Sequence, residues 1–452
     1  MKSQEIQRIK NLDKKYIWHP FTPMLDWLED DPLVIERGEG AWLYDIEGRR
    51  YLDGVSSLWV TVHGHRHPKI DAAVREQLDR IAHTTMLGLG NVPGALLAER
   101  LVEIAPRGLK RVFYSDSGSE AVEIAVKMAF QYWRQCSNPK PAKTRFVSFT
   151  NAYHGDTVGS VSVGGIDLFH KMYKPLLFNS FHAPSPYCYR CELGKTYPEC
   201  SMNCLDKLEE ILEHHADEIA AVICEPLIQA AAGIITAPRG YLRRVRELCD
   251  RFDVLLIADE VAVGFGRTGT MFACEAEGVT PDLMALAKGL TGGYLPLAAT
   301  LANDRVFEAF LTRYEDHRTF YHGHTYTGNP LACAAAIANL DLFKEENTLE
   351  RLAPRIELLA HGLEKIAALD HVGDIRQRGV MVGIEIVKVK STKELFDTGE
   401  KIGVRICSQA RQFGVIIRPL EHVVVLNPPL CIDDDQIDML IDAVGRAIER
   451  VT

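Results

Sequence analysis

Residues 254–269 read VLLIADEVAVGFGRTG, and two halves of this stretch pull toward different folds. Val254–Ala258 is an unbroken apolar, β-rich run closed by Asp259 and Glu260. Such a run suits a strand covered on both faces, as in a mainly parallel sheet. Gly264, Gly266 and Gly269 then spell a literal G-x-G-x-x-G. A dinucleotide fingerprint opens a long amphipathic helix and carries an acid ~20 residues later. Here the next segment, TMFACEAEGVTPD, is short and broken, and the acids precede the glycines. The strand reading stands and the dinucleotide reading fails on context.

Working outward, the same kind of run recurs in RVFYSDSG, RFVSFTNAY, IAAVICEP and PLAATLAN, with helical stretches between. This alternation predicts an α/β fold with a mainly parallel sheet between helices. Upstream, GAWLYDIEGRRYLDGVSS alternates apolar and polar residues about Glu47-Gly48 and predicts a hairpin. Downstream of the apolar helix in GNPLACAAAIANLDLF, amphipathic helices mix with the strands VMVGIEIV and HVVVLNPP. The expected division is 66–330 as the large domain, with 1–65 and 331–452 together forming a smaller α+β domain.

Composition excludes several classes. The chain has 452 residues, 47% hydrophobic and 25% charged, with a net charge of −10. That charge argues against nucleic acid as a partner, because phosphate backbones need clustered Lys/Arg. The first residues lack an apolar h-region, so no secretory signal is expected. The most apolar long run is broken by Glu225, Pro226 and Gln229, so no membrane span is expected. Eleven cysteines without a signal point to a reducing, cytoplasmic setting.

Lys288 is the residue that least fits its surroundings, set between Ala285-Leu286-Ala287 and Gly289. A lysine in an apolar pocket, with Asp259 at the C-terminal end of a strand, supplies the two charges that pyridoxal phosphate needs. The amine bonds the cofactor aldehyde, and the carboxylate keeps the pyridine nitrogen protonated so that the ring draws electrons. Burial lowers an amine's pKa, which also suits Lys288 as the proton-moving base. A phosphate cradle is on offer in SDSGSEAVEIAVKMA. Ser117 and Glu120 stand at capping-box spacing, and Gly118 lets an anion approach the free N–H groups of a helix start. An ordinary capped helix explains the same residues. Tyr153 suits stacking on a planar ring, with His154 and Asp156 orienting neighbours. Thr325 is a second phosphate donor or a cap, and Arg418 a carboxylate partner or a surface residue. Cys188, Cys191, Cys200 and Cys204 have C-x2-C-x8-C-x3-C spacing, which allows tetrahedral zinc. Their loop is short for a zinc ribbon and no histidine supports it, so no metal is assigned.

Together these motifs resemble the class III, fold-type I, pyridoxal-phosphate-dependent aminotransferases. The match runs in family order over essentially the whole chain: SDSGSEAVEIAVKMA, YHGDT, EPLIQ, LLIADEVAVGFGRTG, PDLMALAKGLTGGYLP and HTYTGNPLACAAA. The resemblance implies a large domain with a seven-stranded sheet, pyridoxal 5'-phosphate, and a homodimer with active sites at the subunit interface. It makes Lys288, Asp259 and Tyr153 the catalytic set. Ser117, Gly118 and Ser119 hold the phosphate, joined by Thr325 of the other subunit, while His154 and Val261 complete the cofactor site. IWHPFT, SSLWVTVHGHRHP and IRPL are similar to the biotin-synthesis branch, which aminates 8-amino-7-oxononanoate. That similarity places Trp18, Phe21, Trp59, Tyr153, Gly323 and Arg418 around substrate, with Arg418 on its carboxylate and aromatic walls along its methylenes. The rival within the class is an ω-amino acid or diamine aminotransferase using pyruvate or 2-oxoglutarate. Ala230-Ala231-Ala232 stand where the family often has glycines, and Val263 where Thr is common. Phe21 replaces a Tyr found in members that take the amino group from S-adenosylmethionine, which leans the donor toward lysine.

Overall fold

The computed structural model describes residues 2–452. Its main sheet has seven strands: β1 (Leu109–Ser115), β2 (Arg145–Phe149), β3 (Phe181–Ala183), β4 (Ile219–Cys224), β5 (Leu255–Asp259), β6 (Leu283–Leu286) and β7 (Ala298–Asn303). Their spatial order is β1-β7-β6-β5-β4-β2-β3. Pairings β6–β5, β5–β4, β4–β2 and β2–β3 are parallel, and β7 runs antiparallel to both its neighbours. Six strands therefore present their C-terminal ends on one edge. Every residue of β4, β5 and β6 is buried, which explains why these strands are continuous apolar runs rather than alternating ones. Two apolar clusters cover opposite faces of the sheet, one including Val222, Leu256 and Met284, the other Ile223, Leu255 and Ala285.

Helix α1 (Gly118–Gln135) follows β1 and packs Ala121, Val122, Ala125, Met128, Ala129 and Tyr132 inward. Its start has the expected capping box: Ser117 Oγ accepts from Glu120 N at 3.4 Å, and Glu120 Oε2 accepts from Ser117 N at 3.0 Å. Such a cap stabilises a helix by about 1 kcal/mol. At Pro330–Glu345, Asn329 Oδ1 accepts from Leu331 N at 3.0 Å and Ala332 N at 3.1 Å, and Pro330 opens the helix where a missing N–H costs nothing.

The hairpin about Glu47-Gly48 is present, with Trp42–Asp45 antiparallel to Arg50–Asp53. Gly48 takes φ +85° in the turn, and Asp45 Oδ1 accepts from both Glu47 N and Arg49 N at 2.9 Å. Val415 and Ile416 add to this sheet parallel to Leu52 and Asp53. A further antiparallel sheet holds β8 (Val372–Arg378), β9 (Met381–Ile386), β10 (Arg418–Leu420) and β11 (Val423–Leu426) in the order β8-β9-β11-β10. Leu52 shares a core cluster with Ile384, Val424 and Leu440, so the hairpin is buried against the C-terminal elements.

The glycines of residues 264–269 open no helix; turns and a short 3-10 segment, Ala273–Glu277, follow. Gly266 at φ +86° lets the chain turn so that Arg267 points into the protein. Its guanidinium donates to Ser56 Oγ and the Pro428 carbonyl at 2.9 Å and to the Thr61 carbonyl at 2.8 Å. The motif is a brace between distant segments.

Candidate active site

The C-terminal edge of the sheet opens onto a cavity of about 650 Å³, within the range of small-molecule sites. Strand ends deliver its chemistry. Beyond β1 come Asp116, Ser117, Gly118 and Ser119; beyond β2, Tyr153 to Thr157; beyond β4, Glu225; at the end of β5, Asp259; beyond β6, Lys288.

The Asp259-Glu260 pair is resolved by alternation, since successive strand side chains face opposite ways. Asp259 faces the cavity, where Oδ2 meets His154 Nδ1 at 2.7 Å and Oδ1 accepts from Val261 N at 3.0 Å. Because a carboxylate only accepts, the hydrogen of that first bond belongs to His154 Nδ1. Glu260 turns away, fully buried, and accepts from Ala273 N at 2.9 Å and Cys274 N at 2.8 Å. Burial pushes its carboxyl up to about 7.

Lys288 has φ +45°, a left-handed conformation that costs an L-residue roughly 1–2 kcal/mol. The turn aims its amine into the cavity, with Nζ 5.0 Å from the Trp59 ring centroid. Among the described residues Nζ has no ion-pair partner within 4.0 Å. Burial holds its pKa below the ordinary lysine value, and the charges of Asp259 and Glu225 only partly oppose this. A strained backbone that presents a desolvated amine is a mark of a functional position.

Gly118, the first residue of α1, lies against the opposite wall. A Cβ there would stand 2.5 Å from Val261 Cγ1 and 3.4 Å from Ala287 Cβ. The missing methyl leaves the helix N–H groups open to an anion. Ser119 Oγ lies 2.9 Å from Thr157 Oγ1 and accepts from Thr157 N at 3.0 Å. Tyr153 donates from its hydroxyl to Asp156 Oδ2 at 2.7 Å, and burial raises its pKa. Trp59 is buried on the wall, and both its Nε1 and His154 Nε2 are buried without a hydrogen-bond partner among the described residues.

Ser117, Gly118, Ser119, Tyr153, His154, Asp259, Val261, Lys288 and Trp59 thus meet in one cavity. Trp18, Phe21, Gly323, Thr325 and Arg418 do not line it within a single chain. Trp18 is 87% exposed; Phe21 packs edge-on against Phe169 at 5.3 Å, outside the lining. Gly323 and Thr325 are exposed. Arg418 is half-buried on β10 opposite Val425, and its guanidinium has no side-chain hydrogen bond or ion pair among the described residues. Sequence reasoning passed over Glu225, whose carboxyl accepts from Ala230 N at 2.8 Å and Tyr153 N at 3.2 Å and is pushed up to about 7 by burial. The available signal was an acid directly after the apolar run IAAVIC, the same pattern that marked Asp259.

The family model of class-III aminotransferases matches residues 27–448. The chain belongs to this family. Among similar aminotransferases, the adenosylmethionine-8-amino-7-oxononanoate aminotransferase of Geobacter sulfurreducens is 55% identical over 453 residues, covering 100% of both chains. The crystal structure of the enzyme of that name from Methanocaldococcus jannaschii superposes with TM-score 0.93 at 47% identity, covering 98% of this chain and 99% of the other. An amine transaminase from an uncultivated Pseudomonas species, solved in the PLP-bound form, gives TM-score 0.92 at 39% identity over 97% and 99% of the two chains. The fold is that of these aminotransferases.

Pyridoxal 5'-phosphate fits the cavity on four counts: the free Lys288 amine, the inward Asp259 carboxylate, the Gly118 gap at a helix start, and two orphaned ring N–H or N positions.

Proposed function

We propose that this aminotransferase converts 8-amino-7-oxononanoate to 7,8-diaminononanoate in biotin synthesis, with S-adenosylmethionine as amino donor. The observation that carries this is identity of 54–57%, over 98–100% of this chain, to three enzymes bearing that name. Those names favour S-adenosylmethionine over lysine. One phenylalanine in place of a tyrosine weighs little against identity of this extent.

Pyridoxal 5'-phosphate, when bound, supplies an aldehyde for the exchanged amino group and an electron sink for the cleaved Cα–H bond. Each residue has a matching part. Lys288 would anchor the cofactor and move the proton at the substrate carbon, and burial, by lowering its pKa, favours the neutral amine that such a base needs. Asp259 would hold the proton of the pyridine nitrogen, and the His154 Nδ1–H bond of 2.7 Å fixes the carboxylate's orientation. Val261 and Tyr153 line the cavity and would hold the ring between them. The N-terminus of α1 with Ser117, Gly118 and Ser119 would hold the phosphate. Trp59 forms an apolar wall, and each substrate methylene buried against such a wall contributes ~0.8 kcal/mol.

The remaining parts come from assembly. A homodimer would bring Gly323 and Thr325 of one subunit to the other's cavity, consistent with their exposure in the single chain. Trp18, Phe21 and Arg418 form the outer substrate wall, with Arg418 receiving the carboxylate. No helix among the described residues is long and apolar enough to cross a membrane.

The test offers the cofactor-loaded protein S-adenosylmethionine and lysine separately, then 8-amino-7-oxononanoate or pyruvate as acceptor. Single-turnover absorbance change with S-adenosylmethionine, and turnover with the oxononanoate, are expected. Turnover with pyruvate but none with the oxononanoate would assign the chain to the ω-transaminases, one of which it matches at TM-score 0.94 and 35% identity.

A further inference from the structure

The turn of residues 230–233 carries two members of the cavity wall, Ala230 and Ala231. It closes the short hairpin of Ile228–Gln229 and Ile235–Thr236, and its backbone is strained. Gly233 takes φ +103°, and the β-branched Ile234 that follows takes φ +56°. Such a residue stays in the left-handed region only where its surroundings hold it there. One end of the turn is held from the main sheet, by the Glu225 carboxyl on Ala230 N at 2.8 Å. The other end is held from the C-terminal sheet. Arg376 on β8 donates to the Gly233 carbonyl from Nη2 at 2.8 Å and from Nε at 3.2 Å.

Arg376 is itself locked in place. It is buried, and its Nη1 donates to Glu385 Oε2 and Asp374 Oδ2, both at 2.7 Å. Tyr187 and Arg190 also donate to Glu385. Burial alone would raise the Glu385 carboxyl, but Arg376, Tyr187 and Arg190 outweigh it and hold that carboxyl below the ordinary range. With Nη1 engaged by the acids, the rigid guanidinium fork fixes where the Gly233 oxygen stands.

The register of the sheet ties this grip to the far side of the site. Arg376 stands opposite Gly383 of β9, Gly383 opposite Val425 of β11, and Val425 opposite Arg418 of β10. The four form one row across the sheet, and opposed residues of neighbouring strands share a face. Gly383 lets the turn in, since a Cβ there would lie 2.5 Å from the Gly233 oxygen and 3.1 Å from Ile234 Cβ. Val425 packs in one apolar cluster with Ala230, Ile234 and the cavity residue Trp59. Arg418 follows two strand spacings beyond Gly383, about 9.5 Å.

We propose that this row measures the acceptor: by seating the 230–233 turn at Gly383, Arg376 sets the distance from the cavity wall to Arg418, and with it the chain length of the carboxylate that fits. The inference rests on Arg418 as receiver of the substrate carboxylate. Arg376 is a positioning residue and touches no substrate. Backbone hydrogen bonds fix the spacing along the row, so the contact between turn and row is the adjustable part. A turn released from Gly383 would leave the wall free to move and the length undefined.

The test compares kcat/KM for 8-amino-7-oxononanoate and its homologues one methylene shorter and one methylene longer, in cofactor-loaded wild type, Arg376→Met and Gly383→Ala. Arg376→Met removes the donors to Gly233. Gly383→Ala fills the seat with every ion pair intact and no positive φ, so it carries the test should loss of a buried charge unfold the first variant. Wild type should favour the parent acceptor over each homologue by about 10-fold or more, the scale of one methylene in a fitted pocket. In the variants that preference should fall to about threefold or less, while cofactor affinity and the single-turnover donor half-reaction stay within about twofold. Destabilisation alone would instead lower all three acceptors and the donor half-reaction together. That outcome, an unchanged preference in the variants, or no preference in the wild type would overturn the inference and leave the proposed function standing. A wild type that turns over pyruvate and none of the three acceptors would overturn both.

Discussion

Gly118→Ala tests the cofactor cradle through one methyl group. Gly118 has no positive φ, so alanine meets no backbone strain, and the effect is purely steric. The new Cβ would lie 2.5 Å from Val261 Cγ1 and 3.0 Å from its Cγ2. Val261 must yield, and the direction open to it is the cavity of about 650 Å³. Without cofactor the side chain swings into that space at little cost. With the ring in place the space is filled, and the strain of overpacking, about 1–3 kcal/mol, appears only in the bound state. At about 1.4 kcal/mol per decade this weakens cofactor binding by about 5- to 150-fold. The assay is titration of the cofactor-free protein with pyridoxal 5'-phosphate by absorbance, beside thermal unfolding of the same cofactor-free samples. The thermal midpoint should hold while the dissociation constant rises. An affinity within twofold of wild type would mean that Val261 does not pack beneath the ring. An equal loss of stability without cofactor would mean the clash is felt in the fold itself.

Three further outcomes follow from the same geometry. Lys288→Ala should abolish turnover, and borohydride should no longer fix the cofactor to the chain; an undiminished rate would remove Lys288 from its role. Arg418→Ala should raise KM for the oxononanoate about 10- to 150-fold, the scale of a charge-assisted hydrogen bond of about 1.5–3 kcal/mol, and leave the donor half-reaction unchanged. A matching loss in the donor half-reaction would show that Arg418 does not discriminate between the substrates. His63 is buried, and burial lowers its pKa to about 4 from 6.5. Between those values the unfolded chain binds the proton and the folded one does not, so acidification destabilises the fold. His63→Gln, a neutral donor toward the Asn339 carbonyl, removes this dependence. Relative to that variant, wild type should lose about 2 kcal/mol in urea unfolding from about pH 7.5 to about pH 5; parallel pH curves would refute the shift.

What the sequence revealed, and what it hid, divides along physical lines. The buried strands were legible because covering both faces of a sheet demands unbroken apolar runs, as in β4 and β5. Strand direction was not: β7 is nearly as apolar as the parallel strands β4, β5 and β6, and only the sheet shows that it runs the other way. The four-residue strand β6 was hidden beside Lys288, because LMAL is too short to separate from the apolar pocket it leads into. Local signals at helix starts held well, since a capping box or an Asn-Pro start is satisfied within a few residues. The residues proposed for the outer substrate wall were the least legible. Trp18, Phe21, Gly323, Thr325 and Arg418 lie outside the cavity of one chain, so their roles rest on assembly.

The acids show how a single strand end can decide a mechanism. Asp259 and Glu260 are adjacent and both buried, yet the pleat gives them opposite tasks. Asp259 meets a histidine N–H and the cavity, where a fixed negative charge can hold a proton on a bound ring. Glu260 meets two backbone N–H groups of the 273–274 turn and holds the chain that follows. Shifting this strand by one residue would exchange them. The carboxylate facing Lys288 would then lack His154 to orient it, and the turn behind would lose both its acceptors. The register of β5 is fixed by its parallel neighbours, Ala258 opposite Cys224 and Asp259 opposite Ala285. That register places Asp259 rather than Glu260 in the cavity with Lys288, and so the pairing of the sheet itself selects the charge that would make the cofactor an electron sink.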